Sequence, residues 1–140
     1  MKRLALVISA IFAILGVYAV DTDFTVTVNN IKESKGQIVI GIFDVQAPFP
    51  REGKQVRKII IPVTVNQVFK TIDLPNGTYG LAIFHDENSD GKCDQNMLGI
   101  PKEGFAFSNN FKPSVKAPKF KDVQFTINDD MNMKIKLLHF

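Results

Sequence analysis

A short acidic loop in the second half of the chain carries the side chains best suited to chemistry. Asp and Asn alternate there before Gly91, which can supply a sharp backbone bend. This alternation is typical of loops that wrap a hard cation such as Ca²⁺ with oxygen ligands. The main-chain carbonyl of Lys92 comes next in the alternation. The pattern therefore predicts a calcium site with ligands from Asp86, Asn88, Asp90, Lys92 and Asp94.

The predicted calcium loop is not an EF-hand. An EF-hand closes with a bidentate Glu at its twelfth position, which is Met97 here, and no helical pattern flanks the loop. A free-standing loop with fewer carboxylates is expected to bind Ca²⁺ weakly, with Kd on the order of 10⁻⁴ to 10⁻³ M. The alternative is an ordinary turn, because Asp, Asn, Ser and Gly also cap their own backbone.

A catalytic interpretation of the same region centres on His85, which ends a predicted strand next to Asp86. With Glu103 or Ser108 it would form a hydrolase site, provided that the fold brings these residues together. Ser108 lacks the glycine pattern of a nucleophile elbow. A hydrogen-bonded structural histidine is the competing interpretation.

Cys93, within the acidic loop, is the only cysteine of the chain. A single cysteine forms no internal disulfide. Neighbouring carboxylates disfavour a thiolate, which argues against a nucleophile.

The first residues predict export. Lys2 and Arg3 precede an uncharged apolar run over residues 4–17, and Ala19 ends a sequence that a signal peptidase would read. We expect a signal peptide over residues 1–19, a single domain over residues 20–140, and a periplasmic or extracellular location. Without Lys2 and Arg3, 15 basic residues face 14 acidic ones, so a nucleic-acid partner is not expected. No transmembrane segment is expected after cleavage.

The rest of the chain has the alternating pattern of β-strands. Strands are predicted over residues 24–28, 37–43, 58–65, 67–74, 78–85, 122–127 and 133–138. No helical period follows the signal. Seven short strands separated by turn-rich loops predict an all-β, antiparallel sandwich of Ig-like or transthyretin-like type.

Residues 98–107 are predicted to be irregular, because Gly99, Pro101 and Gly104 interrupt the alternation. The simple interpretation is that this segment packs Phe105 and Phe107 over the end of the sandwich and braces the acidic loop. Glu103 could reach back to the loop as an extra ligand or form an ion pair near Lys102. The segment over residues 101–110 ends in two asparagines that can satisfy loop backbone groups. A sharper hypothesis is a ligand-binding rim built from this segment and the acidic loop.

Three segments of the sequence resemble a known family. They contain His-Asp-Glu-Asn at residues 85–88, Gly-Lys-Cys-Asp at 91–94, and Gly-Ile-Pro-Lys-Glu-Gly followed by Phe-Ser-Asn-Asn between 99 and 110. This combination resembles the exported bacterial proteins grouped as domain of unknown function 2141. The resemblance implies a signal peptide and a compact β-domain over the mature chain, and it implies no activity.

The resulting expectation is an exported, non-enzymatic binding or structural module of the cell envelope, with an envelope protein or a glycan as partner. The calcium loop would be its only cofactor site. The alternative is a hydrolase centred on residues 85–110.

Overall fold

The computed structural model describes residues 21–114 and 116–140, and the predicted signal peptide lies outside them. The described residues form eight strands and one short helix, α1 (Phe120–Val123). The strands are β1 (Asp21–Asn29), β2 (Gln37–Asp44), β3 (Arg57–Pro62), β4 (Val68–Pro75), β5 (Gly77–Asp86), β6 (Phe105–Phe107), β7 (Phe125–Ile127) and β8 (Met131–Lys136).

The strands form two sheets, which confirms the predicted all-β sandwich. One sheet has the order β4-β1-β8, and the other has the order β3-β2-β5-β6, with β7 also paired to β5. All pairs are antiparallel except β1 with β8, which are parallel. Parallel and antiparallel strands show the same side-chain alternation, so the sequence pattern did not reveal that β1 and β8 are parallel.

The main core lies between the sheets. Alternate residues of β1 and β2 point into it, as their period-two patterns require, and these side chains are fully buried. They include Phe24, Val26 and Val28 from β1 and Ile38, Ile40 and Ile42 from β2. Burying a side chain of this size contributes about 1.5–3 kcal/mol, so the core dominates the stability of the fold.

A second apolar cluster covers the other face of the five-stranded sheet. Phe105, Phe107 and Val123 are its buried members, and Phe49, Phe84, Phe111 and Leu138 pack against them. Strand β2 is accordingly buried on both faces, as its continuous apolar run predicted. This second face positions the candidate site.

Two predicted elements were wrong. Residues 105–107 were predicted to be irregular, but they form β6 and pair with β5. A three-residue strand is too short to show a period. Residues 122 and 123 were predicted to begin a strand, but they end α1, where the Asp122 side chain accepts a hydrogen bond from the Lys119 backbone N–H at 2.8 Å. The strand of this region begins at Phe125.

No helix in the described ranges is long and apolar enough to cross a membrane.

Candidate functional site

Asp86 organises the acidic loop from its buried base at the end of β5. Its side chain is fully buried. One carboxylate oxygen accepts the backbone N–H of Asp90 at 3.1 Å, and the other accepts Gly91 N–H at 2.9 Å and Gln37 Nε2 at 2.8 Å. Gly91 has a φ of 81°, as the predicted sharp bend requires. Asp86 therefore serves as an internal cap that fixes the loop.

The outer residues of the loop also bond to one another. Asn88 Nδ2 donates to the Asp90 carboxylate at 3.4 Å and to the Asp94 carboxylate at 3.2 Å. Asp90 in turn accepts the Lys92 N–H at 2.8 Å. The asparagine amide thus lies between the two carboxylates that would face a cation. Among the described residues, no group of three or more His, Cys, Asp or Glu side chains is arranged to hold a metal ion.

Glu103 joins the acidic loop to the segment that follows it. Its side chain is buried, and its two carboxylate oxygens accept the N–H groups of Glu87 at 2.9 Å and Asp94 at 3.0 Å. The backbone adds a bond from Lys102 N–H to Asp94 O at 2.8 Å. The segment braces the acidic loop, as predicted, and it does so because Glu103 caps backbone amides at both ends of the loop. This role for Glu103 was not predicted.

His85 and Ser108 do not converge into a catalytic set. His85 Nε2 donates to the Lys35 carbonyl at 2.8 Å, and the buried ring has its Nδ1 3.9 Å from the Glu87 carboxylate. Ser108 Oγ accepts Leu81 N–H and donates to Val123 O at 2.6 Å. Leu81 and His85 are four residues apart on β5, which separates them by about 13 Å.

The asparagines after Ser108 satisfy neighbouring backbone, as the sequence predicted. Asn109 donates to the carbonyls of Val123 and Gln124. Asn110 bonds to both Lys134 O and Lys136 N–H of β8. The segment after β6 is thereby fixed to the end of α1 and to β8.

A pocket of about 790 Å³ opens beside the acidic loop, on the outer face of the five-stranded sheet. Gly41 of β2 and Ala82 of β5 are directly paired in its floor. The Phe43 ring lies over Gly41, since a Cβ there would be 3.0 Å from Phe43 Cε2, and larger residues surround the pair. These neighbours are Val39, Phe43, Phe84, Phe105 and Phe107.

Loops from distant parts of the chain form the walls of the pocket. The acidic loop and its partner segment contribute Lys92, Cys93, Gln95 and residues 98–101. The β2–β3 loop contributes Pro50, Glu52 and Gln55; the stretch before α1 contributes Pro113, Ser114, Lys116 and Ala117; and the chain end contributes Phe140. Leu98 and Phe140 are largely exposed, so the mouth of the pocket is apolar.

The sequence interpretation did not identify the floor of this pocket. The sequence did hold a signal for a covered outer face. Strands β2 and β5 carry apolar residues on both faces, and such strands must be packed against other residues on both sides of the sheet. The small pair Gly41 and Ala82 could be recognised only once the register of the two strands was known.

Cys93 lines the pocket as a protonated thiol. Burial, followed by the nearby carboxylates of Glu103, Asp94, Glu52 and Asp86, raises the pKa of Cys93 to about 12. The prediction that neighbouring carboxylates disfavour the thiolate of Cys93 is confirmed, but burial is the larger cause of the raised pKa. The influence of Glu52 also indicates that the β2–β3 loop approaches the acidic loop near the pocket.

We expect Cys93 to react slowly with a soluble thiol reagent at mildly alkaline pH. With the pKa of Cys93 raised to about 12, the thiolate fraction there is on the order of a hundredfold to a thousandfold below that of an ordinary cysteine. Stopped-flow alkylation of the native protein would measure this rate, and the urea-unfolded chain is the control. Equal rates in the two states would contradict the prediction.

A family of bacterial proteins, described as uncharacterized proteins conserved in bacteria and designated domain of unknown function 2141, matches residues 26–136. The chain belongs to this family. No curated protein and no solved structure matches it.

The segments that carried the resemblance to domain of unknown function 2141 lie together in the fold. Residues 85–88 and 91–94 form the acidic loop, and residues 99–110 contain Glu103, strand β6 and the turn with the two asparagines. In this member of domain of unknown function 2141, residues 92–93 and part of the segment 99–110 line the pocket, whereas residues 85–88 do not.

Proposed function

We propose that the protein is an exported, non-enzymatic binding protein of the bacterial cell envelope that holds a small apolar molecule in the pocket beside the acidic loop. The observation that carries the proposal is the pocket itself. Its volume of about 790 Å³ lies in the range of small-molecule sites, roughly 300–1,000 Å³. The export part rests on the charged start, apolar run and cleavage sequence of residues 1–19.

The chemistry of the pocket supports an apolar occupant. Its floor and nearest walls are the side chains of aliphatic and aromatic residues, and polar groups lie mainly in the loops. An apolar ligand here would be removed from water on contact with Phe84, Phe105 and Phe107, which contributes roughly 25 cal/mol per Å² of apolar surface. The ring–ring contacts among Phe43, Phe49 and Phe107 hold the neighbouring surface in place.

The arrangement of the catalytic candidates supports a non-enzymatic role. Glu103 and Ser108 direct their polar atoms to backbone groups, as does Nε2 of His85. None of these three residues lines the pocket. A small molecule in the pocket would therefore meet apolar carbon and loop side chains rather than the proposed acid, base or nucleophile.

Filling the floor of the pocket tests the proposal. We expect Ala82→Leu to weaken binding of the neutral apolar dye N-phenyl-1-naphthylamine at least tenfold, because three further carbon atoms would enter the pocket that Ala82 lines. Fluorescence titration of the dye measures the affinity. A control variant with the same change is Ala47→Leu, since Ala47 lies outside the pocket lining.

Two results would contradict the binding proposal. The first is that the wild-type protein does not enhance the fluorescence of the dye. The second is that Ala82→Leu and Ala47→Leu bind the dye equally well while both keep the melting temperature of the wild type, which would place the dye elsewhere.

Calcium binding by the acidic loop stays a prediction. For Ca²⁺ to enter, Asn88 must turn its carbonyl oxygen toward the space between Asp90 and Asp94 that its Nδ2 now occupies. Asp86 already has both oxygens engaged by backbone and Gln37. The ligands available at the surface are therefore Asn88, Asp90, Asp94 and the carbonyl of Lys92, few enough for a weak site.

We expect millimolar Ca²⁺ to raise the melting temperature by a few degrees, since a ligand at about ten times its Kd adds about 1.4 kcal/mol of stability. The shift should disappear in Asp90→Ala and persist in Asp129→Ala, which removes an exposed carboxylate from the β7–β8 turn. Differential scanning calorimetry with Ca²⁺ and with EDTA measures it. The same melting temperature in both conditions would exclude calcium as a stabilising ligand.

A further inference from the structure

The charged side chains that line the apolar pocket are mostly basic. Lys58, Lys92 and Lys116 line it, and Glu52 is the one acidic residue of the lining among the described residues. None of these four has an oppositely charged group within ion-pair distance in the described ranges. Three lysines and one glutamate therefore leave the lining with a net charge of +2 that no ion pair cancels.

The negative charge near the pocket gathers at the wall that holds Cys93. Burial raises the pKa of Cys93 most, and four carboxylates add to the effect, those of Glu103, Asp94, Glu52 and Asp86. Lys92 precedes Cys93 in the chain, so the same carboxylates offset its charge. An anion would be repelled from this wall, and its attraction must come from the other two lysines.

Lys58 and Lys116 come from parts of the chain that are distant from the acidic loop. Lys58 lies on β3 opposite Gly41, and the same row of the sheet continues to Ala82. Lys116 belongs to the stretch before α1, and both lysines are exposed. An exposed lysine that lines a pocket covers apolar surface with its carbon stem and keeps its ammonium group in water. Positive charge is therefore expected at the mouth of the pocket, above an apolar floor.

We infer that the pocket takes a single-chain amphiphile with an anionic head. The apolar body lies against the phenylalanine side chains of the lining, and the head pairs with Lys58 and Lys116. Lysine attracts an anion as a point charge, so the sign of the head matters more than its shape. This inference rests on the proposed binding function and names the chemistry of its ligand.

Two amphiphiles of equal chain length and opposite charge test the inference. Dodecanoate and dodecyltrimethylammonium, each below its micelle concentration, compete with the neutral dye N-phenyl-1-naphthylamine at mildly alkaline pH. We expect dodecanoate to bind at least about fivefold more tightly at low ionic strength, because the two lysines attract one head and repel the other. The ratio of the two affinities should fall as NaCl is raised from about 10 mM to about 1 M, since salt screens exposed charges.

The double variant Lys58→Gln with Lys116→Gln removes both charges and keeps long polar side chains. We expect it to weaken dodecanoate binding about three- to tenfold while the affinity for the neutral dye stays within about twofold. The matched control is Lys70→Gln with Lys134→Gln. These lysines are exposed on the other sheet, outside the pocket lining, and their loss gives the same net charge. The control should keep the wild-type affinity for dodecanoate.

The outcomes separate the two proposals. If the wild-type protein does not bind the dye, the pocket is not a site for apolar molecules, and both proposals fail. If the dye binds but dodecanoate fails to displace it, or if the cationic amphiphile competes equally well, the binding function stands and the anionic head is overturned. Equal losses of dodecanoate affinity in the two double variants would show an effect of net charge alone and would overturn the pairing with Lys58 and Lys116.

Discussion

Replacing Asp86 by Ala is expected to lower the free energy of unfolding by about 3–5 kcal/mol, because the change leaves buried donors without an acceptor. The donors are the N–H groups of Asp90 and Gly91 and the Gln37 side chain. Since the carboxylate is fully buried, water cannot take its place without opening the loop. Urea denaturation followed by circular dichroism measures the loss.

Asp44→Ala is the control for Asp86→Ala. Asp44 also caps two backbone amides, those of Gln46 and Ala47, but in a partly exposed loop where water can replace it. Asp44→Ala should lower the free energy of unfolding by about 0.5–1.5 kcal/mol. Both variants should be measured with and without EDTA. If the effect of Asp86→Ala vanished in EDTA, the carboxylate would act through a metal ion and not as a cap.

Gly36→Ala is expected to lower the free energy of unfolding by about 2–5 kcal/mol. The alanine would be held in a left-handed backbone conformation, and its Cβ would overlap the end of β5. Gly36 has a φ of 66°, and a Cβ there would lie 2.2 Å from the Asp86 carbonyl oxygen and 2.7 Å from the Glu87 Cα. The turn cannot easily move away, because Gly36 O accepts the Val63 N–H at 3.0 Å. Thermal and urea unfolding measure the change.

Gly53→Ala separates the two causes. Gly53 has a φ of 76°, and no atom lies within 4 Å of a Cβ built there, so this variant reports the backbone conformation alone. We expect a loss of about 1–2 kcal/mol for Gly53→Ala. If Gly36→Ala were no worse than Gly53→Ala, the close approach between the turn and the acidic loop would have no energetic weight.

The acidic loop shows how far sequence reasoning can reach at a site. Its position after a strand and its glycine bend follow from residue types and spacing, because turns are local. The capping of its amides by Glu103 joins residues up to sixteen positions apart and did not follow from the sequence. The direction of each carboxylate is not local. Asp86 points inward because Gln37, on the neighbouring strand, lies directly opposite it in the register.

The sequence by itself determined seven of the eight strands and the sandwich, because burial of one face imposes a period of two that is visible along the chain. The tertiary structure alone decided the parallel pairing of β1 with β8, the pairing of β6 with β5, and the pocket. The pocket is bounded by residues of β2, β5 and β6 and by loops that lie far apart in the sequence. A cavity is bounded by residues that only the packed fold brings together, so no local pattern encodes it.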